Sequence, residues 1–389
     1  MNRKILYIHQ EKKPKYGAHY INELIISKLR KKGCSVETIY PAESISLFSK
    51  SLSGIGNMLF FYSLISHKNH ADNYDLVQGT TYTVLPFLGS NTPVISHFGS
   101  TTYGFLKSVP SLLNLESEEK TLLGIYANLK EHLGITRRSS SIKSLKDISR
   151  IEIEVARKST AVIASSEKVK HELVKNKVKA DKIHVIHNAI EDYWFRSKPI
   201  KKAKQTAALV YLGRMGDDTF TIKLKGINRL LYILKKFPNI DKHIIGMCSK
   251  VDRYYLLFSG IPRVAASLSI EKKKIPSLLR SHYADIYVNT GRYEGFCLSL
   301  IEAMSQGLVP VTFPIGVAPE IIENGKNGYI VHSLDEMAKI IYRLSKSPEK
   351  RKNMAESAMK KARMFNADKM AAQLKNIYNE VCAKTSTAS

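Results

Sequence analysis

Cysteine is scarce in this chain of 389 residues. The four cysteines are scattered, and no two of them have Cys-x-x-Cys spacing: Cys34, Cys248, Cys297 and Cys382. The sequence therefore indicates neither a disulfide framework nor a zinc site, as is typical of proteins from a reducing cytoplasm.

Long apolar runs are also missing. The longest apolar stretch, Leu52–Ile65, is interrupted by serine, glycine and asparagine and is too short and too polar to span a bilayer. It could either touch a membrane or form a helix that covers a sheet. The first residues lead directly into an apolar strand, Lys4–His9, without a signal-peptide pattern. We therefore expect a cytoplasmic protein, with the inner face of a membrane as a possible peripheral location.

Acidic residues are few: 34 Asp and Glu stand against 60 Lys and Arg, which gives a formal net charge of +26. The excess is spread over both halves of the chain. Such a field favours an anionic partner, which could be nucleic acid, an anionic lipid surface or a phosphate-bearing substrate. The alternative is plain solubility, because lysine runs such as Lys272–Lys274 are typical of solvated faces.

Short apolar strands alternate with helical segments twice along the chain. The first series predicts strands at Ile5–His9, Ser35–Tyr40, Leu76–Gln78, Pro93–Ser96, Ala161–Ala164 and Ile183–Ile186. The second follows the basic linker Ser197–Lys204 and predicts strands at Ala208–Leu212, His243–Ile245, Ala284–Val288 and Leu308–Thr312. The sequence thus predicts an α/β protein with two Rossmann-like domains that face each other across a cleft.

The predicted first domain covers residues 1–196 and includes a helical insertion at 105–150. The second covers 205–364, and a last helix lies within 365–389.

Residues 291–328 form the most informative block. Glu294 lies on a loop and Glu302 lies inside a predicted helix, Leu298–Met304, so a carboxylate stands on each side of the helix start. A helix start with small residues has unpaired N–H groups and can hold a phosphate. Carboxylates beside a phosphate suit a sugar nucleotide, since ribose and sugar both offer hydroxyl donors. The alternative is that both glutamates are solvated charges on an amphipathic helix.

This block resembles the retaining glycosyltransferases of group 1 (family 4), which have the B-type architecture of two Rossmann-like domains. The matching positions are Glu294, Glu302, Gly307, Pro310, Gly316, Pro319, Glu320, Gly325 and Gly328. The resemblance implies that domain 1–196, with its insertion at 105–150, lies on the acceptor side and that domain 205–364 binds the nucleotide sugar. It implies that the helix within 365–389 returns to the first domain. It also implies that Glu302 binds the nucleotide ribose and that Glu294 lies near the transferred sugar. It also implies that backbone N–H groups face the sugar and phosphate at Phe296, Cys297 and Leu298. Cys297 is not expected to be a nucleophile, because no base stands beside it.

Two cations are expected at the diphosphate. Arg214 follows Gly213 at the end of a predicted strand, and Lys225 precedes Gly226 before a helix. The resemblance gives Arg214 and Lys225 the role of stabilising the leaving diphosphate, and Gly213 is predicted to line the donor site. Lys223 is the alternative to Lys225, because the intervening loop is long.

Two further candidates lie in the first domain. Gly17, within Tyr16-Gly17-Ala18, stands where relatives have a turn near the donor phosphate, and His97 follows a predicted strand where relatives carry a histidine near the reacting sugar. Either residue could instead be structural.

No Asp-x-Asp motif stands at a strand end, and Asp217-Asp218 falls in a loop. We therefore expect no metal and no other cofactor, with protein cations and helix dipoles acting in place of a metal.

The predicted function is transfer of a hexose or N-acetylhexosamine from a nucleotide sugar to a cell-envelope glycan or lipid-linked acceptor. The resemblance implies retention of the anomeric configuration. Two alternatives stay open: a sugar-nucleotide 2-epimerase, which shares this architecture, and a non-catalytic protein that binds an anionic surface. The presence of Glu294, Glu302 and Arg214 speaks against the non-catalytic alternative, and a nucleic-acid partner is therefore disfavoured.

Overall fold

The computed structural model describes residues 2–9, 17–40, 64–109, 120–135, 141–200 and 202–386. The chain divides into two compact units. Unit 1 comprises Met1–Leu106, Ser140–Ile190 and Phe365–Ser389, and unit 2 comprises Lys107–Ser139 and Glu191–Met364.

The strands of the described residues are β1 Lys4–Ile8, β2 Ser35–Ile39, β3 Leu76–Thr80, β4 Val94–Phe98, β5 Ala161–Ala164, β6 Ile183–Val185, β7 Leu209–Arg214, β8 Lys242–Met247, β9 Val264–Leu268, β10 Ile286–Asn289, β11 Val309–Thr312 and β12 Tyr329–Ile330. The α-helices are α1 Gly17–Lys31, α2 Thr102–Ser108, α3 Lys120–His132, α4 Ser141–Lys158, α5 Glu167–Lys175, α6 Asp192–Arg196, α7 Thr219–Leu224, α8 Ile227–Lys236, α9 Val251–Ser259, α10 Ile275–Leu279, α11 Leu298–Ser305, α12 Ala318–Ile321, α13 Leu334–Ser345, α14 Pro348–Ala362 and α15 Ala367–Ser386. Short 3-10 turns occur at Leu64–Asn73, Thr81–Phe87, Ala180–Lys182 and Lys272–Lys274.

Unit 1 contains a parallel sheet of six strands in the order β2-β1-β3-β4-β5-β6. Every residue of β3, β4 and β5 is buried. Central strands of a parallel sheet are covered on both faces, so their sequences are apolar runs without alternation. This explains why the sequence pattern located these strands.

Unit 2 contains a second parallel sheet of six strands, in the order β12-β11-β10-β7-β8-β9. Its strand order changes direction between β7 and β10. In open parallel sheets, ligands bind outside the carboxyl ends of the strands at such a switch point. The predicted α/β class with two Rossmann-like domains is therefore confirmed.

Residues 105–150 require a correction. They were predicted to belong to the first domain, but Lys107–Ser139 belongs to unit 2. Helix α3 packs on α8, with Tyr126, Leu129 and Leu133 buried in the core of unit 2. The Lys250 ammonium also donates to the carbonyl of Leu133 at 2.6 Å. Apolar burial against α8 therefore decides the position of this segment.

The C-terminal helix α15 lies in unit 1, as the sequence predicted for 365–389. Asp368 accepts hydrogen bonds from the Lys28 ammonium at 3.0 Å. The hydroxyl of Tyr378, which is fully buried, donates to the side chain of Gln78 in β3 at 2.5 Å. These contacts attach the end of the chain to the first sheet.

No helix among the described residues combines the length and the apolar character needed to cross a bilayer. The apolar stretch at 52–65 that could touch a membrane lies, apart from its last two residues, outside the described residues.

Candidate active site

The predicted catalytic residues of unit 2 cluster at the switch point of its sheet. Arg214 is the last residue of β7 and is exposed. Glu294 lies on the loop that follows β10, and α11 begins shortly after it at Leu298. Because β7 and β10 are parallel neighbours, both loops leave the same edge of the sheet. This edge is the candidate active site.

Lys225 and Glu294 form an ion pair at this edge. Lys225 Nζ lies 2.5 Å from Glu294 Oε1, and the two side chains are 20% and 23% exposed. Lys223, the alternative cation, is instead buried. Burial, and then the nearby Arg229, lower the pKa of Lys223. The geometry therefore favours Lys225 over Lys223 as the cation that pairs with Glu294.

A glycine fixes the position of Lys225. Gly226 has φ +63°, and a Cβ atom there would lie 2.0 Å from the carbonyl oxygen of Thr290. The buried Thr290 hydroxyl donates to the carbonyl of Gly226 at 3.0 Å. Only glycine permits this close approach, which holds Lys225 against the loop that carries Glu294.

The start of α11 is equally tightly packed. Gly316, at φ +53°, lies against the backbone of Phe296, where a Cβ would come within 2.3 Å of the Phe296 carbonyl oxygen. Val317 N–H also donates to that oxygen at 2.9 Å. The loop after β11 therefore supports the turn of Phe296, Cys297 and Leu298, which is the predicted anion-binding segment.

Cys297 occupies a glycine-like position, since it precedes α11 with φ +80° and ψ +69°. Its Sγ accepts a hydrogen bond from the Asn289 amide at 3.2 Å. Burial, and then the charge of Glu294, raise the pKa of the Cys297 thiol to about 12. A thiol with this pKa remains protonated at neutral pH, which agrees with the prediction that Cys297 is not a nucleophile.

Gly213, the other predicted donor-site glycine, is the penultimate residue of β7. The hydroxyl of Tyr211 donates to the carbonyl of Arg214 at 3.0 Å. Tyr211 therefore braces the end of the strand that presents the Arg214 side chain.

Glu302 lies one turn into α11 and is buried. Its Oε1 is 3.2 Å from Lys272 Nζ, and the same ammonium is 2.6 Å from Glu191 Oε1. We call these three residues the carboxylate–lysine cluster. Burial raises the pKa of Glu302, and Lys272 opposes that rise.

Lys272 was missed by the sequence analysis, which took the run Lys272–Lys274 as a solvated face. Lys273 and Lys274 are exposed, but the Lys272 side chain is only 11% exposed. No spacing signal separates the three lysines.

His97 lies in β4 of unit 1 and is buried. Burial lowers the pKa of His97 to about 4, and the Asn188 side chain opposes this shift only in part. Neither ring nitrogen has a hydrogen-bond partner among the described residues. The imidazole is therefore neutral at pH 7. Gly17 is the first residue of α1, and the preceding Tyr16 lies outside the described residues.

The carboxylates of Asp217 and Asp218 accept hydrogen bonds from backbone N–H groups and do not form a cation site. Asp217 accepts from the N–H groups of Ser249 and Lys250 at 2.9 and 3.0 Å. Asp218 caps α7 by accepting from the N–H of Thr221 at 2.9 Å. In the described part of the chain, no group of three or more His, Cys, Asp or Glu could hold a metal ion. Independence from metal stays a prediction.

Comparison with known proteins shows what the segment that carries this site is similar to. Residues 192–361, which contain Arg214, Lys225, Glu294 and Glu302, match the family model "Glycosyl transferases group 1". The chain is 25% identical over 256 residues to N-acetyl-alpha-D-glucosaminyl L-malate synthase of Bacillus anthracis, covering 61% of this chain and 63% of that protein. The chain spans less than two thirds of the length of the curated relatives it matches.

Solved structures share the fold over nearly the whole chain. HepE of Anabaena, solved in complex with UDP and glucose, has a TM-score of 0.65 at 18% identity, covering 97% of this chain and 100% of that one. WaaG, a glycosyltransferase involved in lipopolysaccharide biosynthesis, has a TM-score of 0.66 at 13% identity, covering 96% and 99%. The chain thus has the fold of these proteins, and its residues 192–361 match the group 1 glycosyltransferases.

Proposed function

We propose that this chain is a retaining, metal-independent glycosyltransferase. It would move a hexose or N-acetylhexosamine from a nucleotide sugar to a cell-envelope glycan or a lipid-linked acceptor. The observation that carries the proposal is the Lys225–Glu294 pair at the switch point of the unit 2 sheet, the edge at which β7 ends with Arg214.

The chemistry follows from the charges at this edge. Cleavage of the sugar–phosphate bond leaves negative charge on a nucleoside diphosphate, and fixed cations at Arg214 and Lys225 stabilise that charge as it develops. The Glu294 carboxylate accepts hydrogen bonds from the hydroxyls of the transferred sugar. Retention fits attack from the face of the leaving group, with the departing phosphate taking the acceptor proton.

The substrate class rests on the relatives. HepE was solved with UDP and glucose, and WaaG acts in lipopolysaccharide biosynthesis. Both support a nucleotide sugar as donor and an envelope glycan as acceptor. The positive charge of the chain suits the phosphates of either substrate. A cytoplasmic location and contact with an anionic membrane surface stay predictions.

A thermal-shift panel of UDP, GDP and their sugars tests donor binding. We expect one nucleotide series to raise the melting temperature of the wild type, because a ligand that binds only the folded state stabilises it. Arg214→Ala and Glu302→Ala should lose most of that shift. Arg343→Ala, which removes an exposed arginine from α13 of the same unit, should keep it. If no nucleotide shifts the wild type, the proposed function is wrong.

Product analysis tests the reaction itself. The anomeric proton coupling of the product, measured by NMR, should show the configuration of the donor, and added EDTA should not slow the transfer. Conversion of the nucleotide sugar without any acceptor would instead support the epimerase.

A further inference from the structure

The environment of Lys272 is unusual for a residue from a lysine run. It begins a 3-10 turn, and its ammonium lies between the carboxylates of Glu191 and Glu302 at 2.6 and 3.2 Å. The three side chains are 11%, 16% and 8% exposed, respectively. Burying charged groups is unfavourable unless they are paired, so this arrangement depends on all three residues.

The cluster holds one more negative charge than positive. Glu191 precedes α6, and its Oε2 accepts a hydrogen bond from Trp194 Nε1 at 3.1 Å. Tyr193 of α6 faces both carboxylates, and burial, followed by these two charges, raises its pKa. Among the residues that the structure describes, Lys272 is the cation that faces the Glu302 carboxylate, and Glu191 and Tyr193 are the other titratable groups that face it.

Electrostatics gives Lys272 a definite effect on Glu302. Burial opposes the charge on Lys272, but the two carboxylates outweigh it and raise the pKa of the ammonium. Lys272 in turn opposes the rise that burial imposes on the pKa of Glu302. Without the ammonium, two buried carboxylates would face each other uncompensated.

We propose that Lys272 is a positioning residue for donor binding: held by Glu191, its ammonium fixes the Glu302 carboxylate in the ionised form, so that this carboxylate accepts hydroxyl hydrogen bonds from the nucleotide. The proposal rests on the proposed function, since it assigns Glu302 to the donor. It adds a residue that acts through Glu302 rather than on the substrate.

The test is the pH dependence of nucleotide binding in Lys272→Met. UDP and GDP are titrated separately into wild type and variant by calorimetry between pH 7 and pH 9. At pH 7 we expect the Kd of the nucleotide that the wild type binds to rise by about tenfold to a hundredfold, the range for losing a hydrogen bond to a charged group. The ratio of variant to wild-type Kd should fall as pH rises, because Glu302 then ionises without its partner. Using this ratio cancels the titration of the nucleotide phosphate.

Matched variants separate this role from a change in net charge or in folding. Lys273→Met removes the same charge from the exposed neighbour and should bind as the wild type does. Lys272→Gln keeps polar contacts but not the charge, and it replaces Lys272→Met if that variant does not fold. Adding Lys272→Met to Glu302→Gln should weaken binding no further than Glu302→Gln alone.

The outcomes are distinct. Wild-type protein that binds neither nucleotide overturns the proposed function together with this inference. Nucleotide binding by the wild type, with equal Kd values for the Lys272 and Lys273 variants or a loss independent of pH, overturns the inference alone. A further loss in the double variant would mean that Lys272 contacts the nucleotide directly, which also overturns the positioning role.

Discussion

Replacing Glu294 by glutamine should separate nucleotide binding from sugar transfer. In the structure, the Glu294 carboxylate forms an ion pair with the ammonium of Lys225. The proposed mechanism assigns this same ammonium to the diphosphate. A neutral side chain releases that ammonium and removes a negative charge near the phosphates. Glu294→Gln should therefore bind UDP more tightly than the wild type while transferring sugar more slowly.

The exposure of the pair sets the size of the effect. With side chains 20% and 23% exposed, this pair lies between a surface ion pair and a buried one. Exposed pairs contribute about 0.2–1 kcal/mol, and removing one partner of a buried pair has a larger effect. Taking about 1 kcal/mol, the Kd for UDP should fall by about fivefold. Loss of a charged acceptor at the sugar should lower kcat/KM for transfer by at least about tenfold.

Calorimetric titration with UDP at low and high salt measures the change in Kd. The increase in affinity of Glu294→Gln over the wild type should become smaller with added salt, because salt screens the charges. Glu294→Asp keeps the charge, and Asp335→Asn removes an equal charge from an exposed pair with Lys236 in the same unit. Neither should tighten binding. If Glu294→Gln binds UDP no better than the wild type, the ion pair does not compete with the diphosphate and the reasoning fails.

Three other substitutions test the packing and the pH response. Gly316→Ala should lower the free energy of unfolding, measured with urea, by more than about 2 kcal/mol, because its Cβ would lie 2.3 Å from Phe296 O at φ +53°. Gly260→Ala, where the nearest atom is 3.6 Å away, is the control, and equal losses in both would contradict the packing argument. Cys297→Gly should change the free energy of unfolding by less than about 1 kcal/mol. Glycine removes the strain of a side chain in the left-handed region, and this gain offsets the loss of the buried side chain. A loss of several kcal/mol would show that the contacts of the thiol dominate. The pKa of His97 is about 4 in the folded chain and 6.5 in its ordinary state. Between these two pH values the unfolded chain binds more protons than the folded chain, so the free energy of unfolding should fall as the pH drops from 6.5 to 4. His97→Gln should reduce the change of the urea midpoint between pH 7 and pH 5. If the midpoint changes with pH as much as in the wild type, His97 does not cause this pH dependence.

The central strands were all predicted, as were the edge strands β2 and β6, whereas both edge strands of the second sheet were missed. The predicted Ala161–Ala164 is β5, whose residues are all buried. The edge strands β9 and β12 were not predicted, since only one residue of β9 is buried and β12 has two residues. A strand with mixed exposure has no continuous apolar run, so its pairing partner decides its conformation.

The domain to which residues 107–139 belong could also not be predicted from local sequence. Its helical character is local, and α3 forms within it. Its assignment to unit 2 depends on the apolar surface that α8 offers, which lies far along the chain. Sequence order alone therefore placed this segment in the first domain.

By itself, the sequence determined the two series of parallel strands, the glycine that turns the chain after Lys225, and the start of α11 between two glutamates. These features depend on short-range patterns of apolar, small and capping residues. The tertiary structure alone decided how the charges pair. Lys225 meets Glu294 across 69 residues, and Lys272 meets Glu191 across 81. Such pairs form only after the sheet brings distant loops to one edge and removes water from them, because desolvation determines which charged groups must be paired.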